Sequence, residues 1–367
     1  MTERVGKYEI PLLPPQADLK TTPVMDALVD ARGALGDLNG RAISLPNPTI
    51  LLNTLFLQEA LASSEIENIV TTQDEVFRVE VLPGKRGAVE AKEVARYREA
   101  MQLGYNAWKK NRFISENMLI DMFRLLKQRE DGYRKTSGTV IRNERTGETV
   151  HTPPQSEREV VEHMRNLERF INDDPPCNLN PLVKMAIIHH QFESIHPFPD
   201  GNGRIGRILN VLYLTHAGLL DSPILYLSRA INRTKSDYYR LLQAVRNEGA
   251  WEEWVVYMLK SVTATARNTL ELVEGIRNLM AEYKNRMRDE LPKIYSQDLL
   301  NNLFRHPYTR IEYVEKDLKT SRQTARKYLK QLAERGFVKE SKEGRNNYYV
   351  NTRLTDLLLS VSSGDGD

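Results

Sequence analysis

Apolar residues recur at helical spacing along most of this chain. From Val24 onward, intervals of three and four between apolar positions indicate amphipathic helices. In the segment 50–66, which begins after a possible N-cap residue at Thr49, the apolar stripe is made by Ile50, Leu51, Leu55, Ala60 and Leu61. The same spacing predicts helices over 88–112, 115–128, 156–173, 181–195, 203–217, 234–248 and 250–288. With the proline-punctuated residues 1–20 expected to be extended, the fold is predicted to be mainly α.

One region departs from the helical pattern. Residues 132–154 carry β-branched residues on either side of a polar turn at 143–147, and they end at Pro153 and Pro154. This pattern predicts a β-hairpin. Because a lone hairpin is only marginally stable, it must lean on the helical body. Projection over a cleft and a plain surface decoration are both compatible with it.

The pattern changes again after Leu291. Short helices are predicted over 296–305, 309–318 and 321–335. Gly336 stops the last helix, and two strands follow around residues 343–345. Three helices and a basic hairpin are typical of a winged helix-turn-helix, whose third helix usually reads a nucleic-acid groove. Its exposed face would show Arg322, Gln323, Arg326 and Lys330. DNA, another protein and a merely solvated charged face are all compatible with these residues.

Composition narrows the class of protein. A chain of 367 residues with 40% apolar and 28% charged residues is an ordinary globular protein, long enough for two or three domains. Cys177 is the only cysteine, which rules out an intramolecular disulfide or a cysteine cluster around zinc or iron–sulfur, and fits a reducing cytosol. No stretch reaches the roughly 20 apolar residues of a membrane span, and the first residues lack the apolar run of a signal peptide. A soluble, cytoplasmic protein without a membrane partner is expected.

Charge is spread unevenly along the chain. The formal net charge is +3, but residues 291–353 carry 14 Lys and Arg against 7 Asp and Glu, a local +7. A basic terminal module on a mildly acidic body suggests a separate domain with its own partner. The final residues, SSGDGD, are expected to be disordered.

The segment 196–207, HPFPDGNGRIGR, concentrates polar chemistry between two apolar helices. Gly201 and Gly203 allow close backbone approach, so the loop amides at a helix N-terminus can cradle an anion. Arg204 and Arg207 are three apart and therefore share a helix face beside that cradle. Two guanidinium groups beside an anion cradle are typical of a polyphosphate site.

Two further residues of this segment supply reactive groups. Asp200 offers one hard carboxylate oxygen, the usual protein contribution to a Mg²⁺ ion that phosphates already hold. His196 stands just before the loop, where a side chain that titrates near neutrality can accept a hydroxyl proton. Each feature alone is common, but their conjunction indicates a catalytic nucleotide site.

The same segment resembles the signature of the Fic family, HxFx(D/E)GNGRxxR, at every defined position. These positions are His196, Phe198, Asp200, Gly201, Asn202, Gly203, Arg204 and Arg207. The resemblance implies an all-α core over about 110–260 and transfer of AMP from ATP to a Ser, Thr or Tyr hydroxyl of a protein, with release of pyrophosphate. It assigns the catalytic base to His196, the Mg²⁺ ligand to Asp200 and a core position to Phe198.

The resemblance also implies which residues surround the nucleotide. It places phosphates on Asn202 and the loop amides, and the β- and γ-phosphates toward Arg204 and Arg207. The nucleotide-binding residues implied are Asp200, Gly201, Asn202, Gly203, Arg204, Ile205, Gly206, Arg207 and, near the adenine, Tyr239. Ordinary helix packing is the other interpretation of Tyr239. The hairpin at 134–152 resembles the family's flap, which would present the target hydroxyl along Gly138, Thr139, Val140 and Ile141.

A second motif lies upstream, at the end of the 50–66 helix. Ser63 and Glu67 are four apart and share a helix face. The string SSEIEN resembles the inhibitory motif (S/T)xxxE(G/N) of Fic proteins that carry their own inhibitor. In those proteins the glutamate pairs with the second arginine of the signature, here Arg207, and blocks productive placement of the γ-phosphate.

Together these features predict an auto-inhibited adenylyltransferase in five parts. The parts are an N-terminal helical region (1–110) with an inhibitory helix (about 50–68), a Fic core (111–260), a connecting helix (261–290), a winged helix-turn-helix (291–353) and a tail (354–367). ATP and a protein, including the chain itself, are the expected partners, and a homodimer is compatible with the sequence. Three alternatives stay open: transfer of another phosphate-containing group, removal of AMP with Glu67 orienting a water, and a DNA-binding regulator whose core only senses nucleotide.

Overall fold

The computed structural model describes residues 8–43, 48–81, 88–142, 146–173, 175, 177–343 and 346–363. Over these residues the chain is mainly helical, as predicted, and its short strands form two small sheets. None of the helices in these ranges combines the length and the apolar character that a membrane span needs.

The N-terminal region is built from four helices. They are α1 (Thr22–Ile43), α2 (Pro48–Ile66), α3 (Gln73–Val81) and α4 (Val89–Asn111). Helix α2 begins one residue before Thr49, so the predicted cap lies inside the helix. Helix α3 was not predicted, although Thr72 and Glu75 form a reciprocal pair of capping hydrogen bonds ahead of the buried Val76. Its length of nine residues is too short for periodicity to identify.

The middle of the chain contributes the next eight elements. They are α5 (Glu116–Lys127), β1 (Ile141–Arg142), β2 (Thr149–His151), α6 (Glu157–Ile171), α7 (Pro181–Ile195), α8 (Asn202–His216), α9 (Ser228–Arg233) and α10 (Lys235–Glu248). Strands β1 and β2 pair antiparallel, which confirms the predicted hairpin, while its turn residues 143–145 lie outside the described residues. Helix α9, six residues long, was not predicted.

Helices α7 and α8 pack against each other at the centre of this core. Residues 182–195 of α7 are all buried, which is expected of a helix enclosed on every side by α6, α8 and α11 (Trp251–Glu290). Buried polar groups on α7 therefore need internal partners. His189 has one in the hydroxyl of Tyr238, which lies 2.9 Å from its Nε2. The signature residues occupy the short loop between α7 and α8 and the first turns of α8.

Helix α11 joins the core to the C-terminal unit. It is continuous over 40 residues and packs along α1, so the predicted connecting helix 261–290 is the last three quarters of a longer element. Near its end the hydroxyl oxygen of Tyr283 lies 3.0 Å from both the carbonyl oxygen of Phe337 and Oδ1 of Asn351, within hydrogen-bonding distance of each. These buried hydrogen bonds fix the C-terminal unit to the helix.

The C-terminal unit combines three helices with a small antiparallel sheet. Its elements are α12 (Gln297–Arg305), β3 (Tyr308–Thr309), α13 (Ile311–Leu318), α14 (Arg322–Glu334), β4 (Lys339–Glu343) and β5 (Asn346–Val350). The strand order is β3-β5-β4, with Val350 opposite both Tyr308 and Lys339. The three predicted helices are present, but Thr309 belongs to a strand and not to the second helix. The predicted turn at 344–345 lies outside the described residues.

A last helix, α15 (Thr352–Ser363), corrects the predicted tail at 354–367. Leu354 and Leu358 are spaced by one helical turn and are buried, and the helix packs on α11. The spacing of these leucines is present in the sequence, but it identifies a buried face only once the surface of α11 that covers it is known. Residues 364–367 lie outside the described residues.

Candidate active site

The loop between α7 and α8 is bounded by two residues in the left-handed region. His196 ends α7 with φ 50° and ψ 58°, and its N–H donates to the carbonyl of Phe192. Gly201 precedes α8 with φ 76°. A left-handed residue is a common way for a helix to end, and here it turns the chain out of α7 and into the loop. The first N–H groups of α8 lack partners within the helix and point into this loop, as an anion cradle requires.

Asn202 holds the loop closed. Its Oδ1 accepts from the N–H of Phe198, and its Nδ2 donates to the carbonyl of Phe198, both at 2.8 Å. The side chain is 1% exposed. The amide assigned to the phosphates from the sequence is therefore engaged inside the loop, and Asn202 shapes the cradle with its side chain. Phe198 is buried and stacks on Phe123 at 4.4 Å, in agreement with its expected core position.

Arg134, which was not predicted from the sequence, binds the backbone carbonyl groups at the C-terminal end of α7. Its Nε donates to the carbonyl of His196 at 2.8 Å, and its Nη2 donates to the carbonyl of Ile195 at 3.1 Å. A cation at the C-terminal end of a helix is favourable because of the helix dipole. At the other side of the hairpin, Nε2 of His151 lies 2.8 Å from the carbonyl of Ser194. Side chains near both ends of the hairpin segment thus form hydrogen bonds with the C-terminal end of α7.

The electrostatic surroundings keep His196 neutral. Burial lowers the pKa of His196 to about 4, and the nearby charges of Arg246 and Arg134 act in the same direction. Glu67 opposes them with a smaller effect. A neutral imidazole at neutral pH can accept a proton, which a general base must do.

Arg207 is paired with the upstream motif. Its Nε donates to Oγ of Ser63 at 2.7 Å, and its Nη2 donates to the carbonyl of Ser63 at 2.9 Å and to Oε1 of Glu67 at 2.7 Å. The Arg207 side chain is 2% exposed and that of Glu67 is 35% exposed. Burial opposes ionisation of Glu67, but the charge and hydrogen bond of Arg207 lower its pKa below the usual value. The structure therefore joins the two motifs as the resemblance implied.

Gly203 leaves room for that pair. A Cβ at this position would collide with Oε1 of Glu67 and would lie 2.9 Å from Nη1 of Arg207. Ile205 and Gly206, predicted to bind nucleotide, are buried in α8. A Cβ at Gly206 would lie 2.8 Å from Oε1 of Glu193, so this glycine serves the packing of α8 on α7.

Arg204 is held by a carboxylate that the sequence analysis also missed. Its Nη1 donates to Oε1 of Glu93 on α4 at 2.7 Å, and Arg204 is 2% exposed. Lys127 of α5 bridges this pair to Asp200, since its Nζ lies 2.9 Å from Oε1 of Glu93 and 2.6 Å from Oδ2 of Asp200. Four charged groups from three segments thus form one network beside the loop.

Asp200 is suited to hold a hard cation. Its side chain is 60% exposed, and Oδ1 accepts from the N–H of Gly201 at 2.6 Å. Burial opposes ionisation, but Lys127 and this hydrogen bond lower the pKa of Asp200 below the usual value. Within the described ranges, no group of three or more His, Cys, Asp or Glu side chains forms a metal site. A single carboxylate fits Mg²⁺, which commonly keeps most of its other ligands from water and substrate phosphates.

The remaining predicted residues lie at the surface. Gly138, with φ 94°, is exposed and Thr139 is half-buried, and both are held by Gln155, whose Oε1 accepts from the N–H of Gly138 and whose Nε2 donates to the carbonyl of Thr139. Val140 is 36% exposed, and Ile141 begins β1. This exposed edge is accessible to a peptide strand.

Tyr239 lies on the exposed side of α10 and is 45% exposed. It meets Tyr238 edge-on, with ring centroids 5.1 Å apart. The hydroxyl of Tyr238 reaches His189, so the buried member of this pair belongs to the core. This contact agrees with the packing interpretation of Tyr239, and its place near an adenine stays a prediction.

Three family models match the chain. The model described as Fic/DOC family N-terminal matches residues 25–106, and the Fic/DOC family model matches residues 113–214. The model described as protein adenylyltransferase SoFic-like, C-terminal domain, matches residues 279–354. The two Fic/DOC models together span about half of the chain, and the second contains the loop and its arginines.

Curated relatives share part of the sequence. A probable protein adenylyltransferase of Aquifex aeolicus is 33% identical over 179 residues, which are 46% of this chain and 51% of the relative. The protein adenylyltransferase fic-1 of Caenorhabditis elegans is 30% identical over 112 residues, 30% of this chain and 21% of the relative. The chain therefore covers about half of the first relative and about a fifth of the second.

The fold has a counterpart among solved structures. The crystal structure of a Fic family protein from Desulfovibrio desulfuricans aligns with a TM-score of 0.53 at 23% identity, over 88% of this chain and 95% of the other. The helical core and the loop between α7 and α8 thus define a protein of the Fic fold. The chain belongs to the Fic/DOC family.

Proposed function

We propose that this protein is a Mg²⁺-dependent adenylyltransferase that moves AMP from ATP to a hydroxyl group of a protein, and that Glu67 restrains it. The observation that carries the proposal is the convergence, on one loop, of a neutral His196, a helix N-terminus and the buried Arg204 and Arg207. The names of the curated relatives, protein adenylyltransferases, support the same reaction.

In the proposed reaction, the target hydroxyl oxygen attacks the α-phosphorus of ATP. His196 takes the hydroxyl proton, a new phosphoester bond forms, and the bond to the β-phosphate breaks to release pyrophosphate. The first N–H groups of α8 and the guanidinium groups of Arg204 and Arg207 would hold the phosphates and offset their charge. Asp200 would hold Mg²⁺, which neutralises phosphate charge when bound. The protein contributes mainly positioning and electrostatic stabilisation.

In the proposed restraint, Glu67 pairs with the guanidinium group of Arg207, which would otherwise bind the terminal phosphate. The pair at 2.7 Å and the two hydrogen bonds to Ser63 use Nε and Nη2 of Arg207. ATP bound with Glu67 in place would therefore lack this contact and place a phosphate beside a carboxylate. Productive binding then requires the end of α2 to move.

We also propose that the C-terminal unit is a winged helix-turn-helix that binds nucleic acid through α14. Its helices and the β3-β5-β4 sheet have the order that such a module needs. Arg310, Arg322 and Arg326 line a concave surface beside α14, and this cationic surface suits a phosphate backbone.

The reaction is tested with [α-³²P]ATP and mass spectrometry. We expect label to stay on protein after denaturation, with a mass increase of one AMP on a hydroxyl residue. His196→Ala should reduce transfer by about 10²–10⁴-fold while ATP still binds, because the base acts on the incoming hydroxyl. His163→Ala, at a half-buried histidine of α6, is the matched control and should transfer normally. Near-normal transfer by His196→Ala would refute the role assigned to His196. A mass increase of one phosphate, instead of one AMP, would show that the protein transfers another group.

A further inference from the structure

Glu59 lies on the same face of α2 as the two residues that hold Arg207. Glu59, Ser63 and Glu67 follow one another at intervals of four, so they stack along one side of the helix. Ser63 and Glu67 contact Arg207 directly. Glu59 stands one turn further from the end of the helix and is 2% exposed. The signature motifs assign it no role.

The carboxylate of Glu59 contacts two elements outside α2. Its Oε1 accepts from the hydroxyl of Tyr97 on α4 at 3.3 Å and from Oγ of Ser228 on α9. Its Oε2 accepts from the N–H of Ser228 at 3.3 Å. Tyr97 and Ser228 are fully buried, and the Tyr97 hydroxyl also lies beside Ser63. One side chain thus ties the middle of α2 to α4 and α9.

This arrangement is unfavourable for packing alone. A buried carboxyl group without a direct cationic partner loses its hydration, and three neutral donors compensate only in part. Burial accordingly raises the pKa of Glu59 to about 7, against the opposing effects of Ser228, Arg207 and Tyr97. An apolar residue of similar volume would fill the same space without this penalty. The hydrogen bonds of Glu59 instead fix the orientation of α2. They require one rotation of the helix about its axis and one position along that axis, whereas apolar packing tolerates several.

We propose that Glu59 is a positioning residue for the inhibitory contact: by fixing α2 against Tyr97 and Ser228, it places Ser63 and Glu67 on Arg207. The inference rests on the proposed restraint by Glu67. Two helical turns separate Glu59 from Glu67, so a small rotation at Glu59 displaces the Glu67 carboxylate from hydrogen-bonding distance. Loss of the Glu59 contacts should therefore weaken the restraint without touching the loop that carries His196.

The test compares Glu59→Gln, Ser228→Ala and Tyr97→Phe with wild type, each alone and combined with Glu67→Gly, by incorporation of [α-³²P]AMP into protein. We expect each single change to raise transfer, Glu59→Gln by about fivefold, and to do nothing further once Glu67 is removed. Glu65→Gln, at an exposed position on the same helix, is the control and should leave transfer unchanged.

A merely structural role gives a different pattern. It would lower the unfolding temperature and reduce transfer by the same factor with and without Glu67. Backbone hydrogen exchange gives a readout that does not depend on activity: residues 63–69 should exchange faster in Glu59→Gln than in Glu65→Gln, while the other helices exchange as in wild type.

The outcomes separate the two proposals. If Glu67→Gly raises transfer but none of the three single changes does, the role of Glu59 is refuted and the restraint by Glu67 stands. If Glu67→Gly itself has no effect, the restraint fails and the inference falls with it. Because Ser228→Ala and Tyr97→Phe each leave the Glu59 carboxyl in place, poor folding of Glu59→Gln would not remove the test.

Discussion

At the scale of single residues, each signature arginine of α8 is held by a carboxylate from the N-terminal region. Arg207 meets Glu67 just beyond the end of α2, and Arg204 meets Glu93 of α4, both at 2.7 Å. Buried guanidinium groups need such partners, because an unpaired buried charge is strongly unfavourable. In the proposed reaction, the polyphosphate of ATP would therefore share or displace these carboxylates. The two differ in their surroundings: Glu93 also binds Lys127 and is 15% exposed, whereas Glu67 lies just beyond the end of α2 and is 35% exposed.

Replacing Glu67 by glycine should release activity. A buried hydrogen bond between charged groups contributes about 1.5–3 kcal/mol. Since the Glu67 side chain is 35% exposed, solvent screening places its contribution near the lower end of that range. About 1.4 kcal/mol corresponds to tenfold, so we expect Glu67→Gly to raise AMP transfer about tenfold, measured as self-labelling with [α-³²P]ATP. A modest loss of thermal stability should accompany it.

Glu65→Ala provides the matched comparison for Glu67. Glu65 is exposed on the same turn of α2 and contributes no side-chain contact to Arg207. Its replacement should be nearly silent. Equal transfer rates for wild type and Glu67→Gly would contradict the restraint and leave the proposed transferase reaction untouched.

At the scale of elements, α14 presents a basic face that is partly neutralised by its own surroundings. Arg322 pairs with Glu312 of α13 at 2.8 Å, and Lys330 lies 3.9 Å from Glu334 one turn along the helix. These are surface pairs and contribute little, so phosphates can replace the carboxylates readily. Arg326 is exposed between them, and the apolar side of the helix is anchored by the buried Leu329. The basic residues of α14 can therefore contact a partner without disturbing the apolar face that packs in the core.

Charge reversal on α14 should weaken nucleic-acid binding and leave transfer unchanged. For Arg326→Glu with Lys330→Glu we expect weaker binding to mixed-sequence duplex DNA and a salt dependence reduced by about one to two phosphate contacts. Electrophoretic mobility shift at several salt concentrations measures both. Lys109→Glu with Lys110→Glu, at exposed positions on α4, makes the same change in net charge and should bind as wild type. If the intact protein shows no salt-sensitive DNA binding, the unit docks on protein instead.

At the scale of the whole molecule, burial sets the charge state of every histidine. All seven have a pKa below the usual value, chiefly because burial disfavours the charged ring: His151, His163, His189, His190, His196, His216 and His306. The pKa values of His151 and His189 are about 3. Burial also disfavours the charged form of Glu59 and Glu193, but for these acids it raises the pKa, in both cases to about 7.

Acid should therefore destabilise the fold. Between pH 7 and pH 5 the unfolded chain protonates its histidines near pH 6.5 while the folded chain does not, so the free energy of unfolding falls. Each strongly shifted histidine removes about 2 kcal/mol over this interval. Glu59 and Glu193 bind protons in the folded state over the same interval and each returns a similar amount. The histidines outnumber them, and the net change should be a loss of several kcal/mol.

Urea unfolding at pH 7, 6 and 5 measures this change. The midpoint should fall steadily toward pH 5, and His151→Gln should flatten the curve by removing one titrating group. Unchanged or increased stability at pH 5 would mean that the buried histidines accept protons in the folded state.

Much of the fold followed from periodicity, and the exceptions have physical causes. The long helices and the hairpin at 132–154 were predicted from spacing, since each buries a continuous stripe or alternates around a turn. Helices α3 and α9 were missed because nine and six residues span too few turns for a stripe. Helix α15 was taken for a tail because Leu354 and Leu358 gain their meaning only from the surface of α11 that receives them.

The amino-acid sequence by itself determined the loop chemistry, because a base, a carboxylate, three glycines and two arginines lie within residues 196–207 and meet through local geometry. Tertiary structure alone decided what these groups bind within the protein. Glu93 is 111 residues from Arg204, and Glu67 is 140 residues from Arg207. A helical pattern reports which face is buried but not which element covers it, and charged partners, low pKa values and the anchoring of α2 all depend on that covering surface.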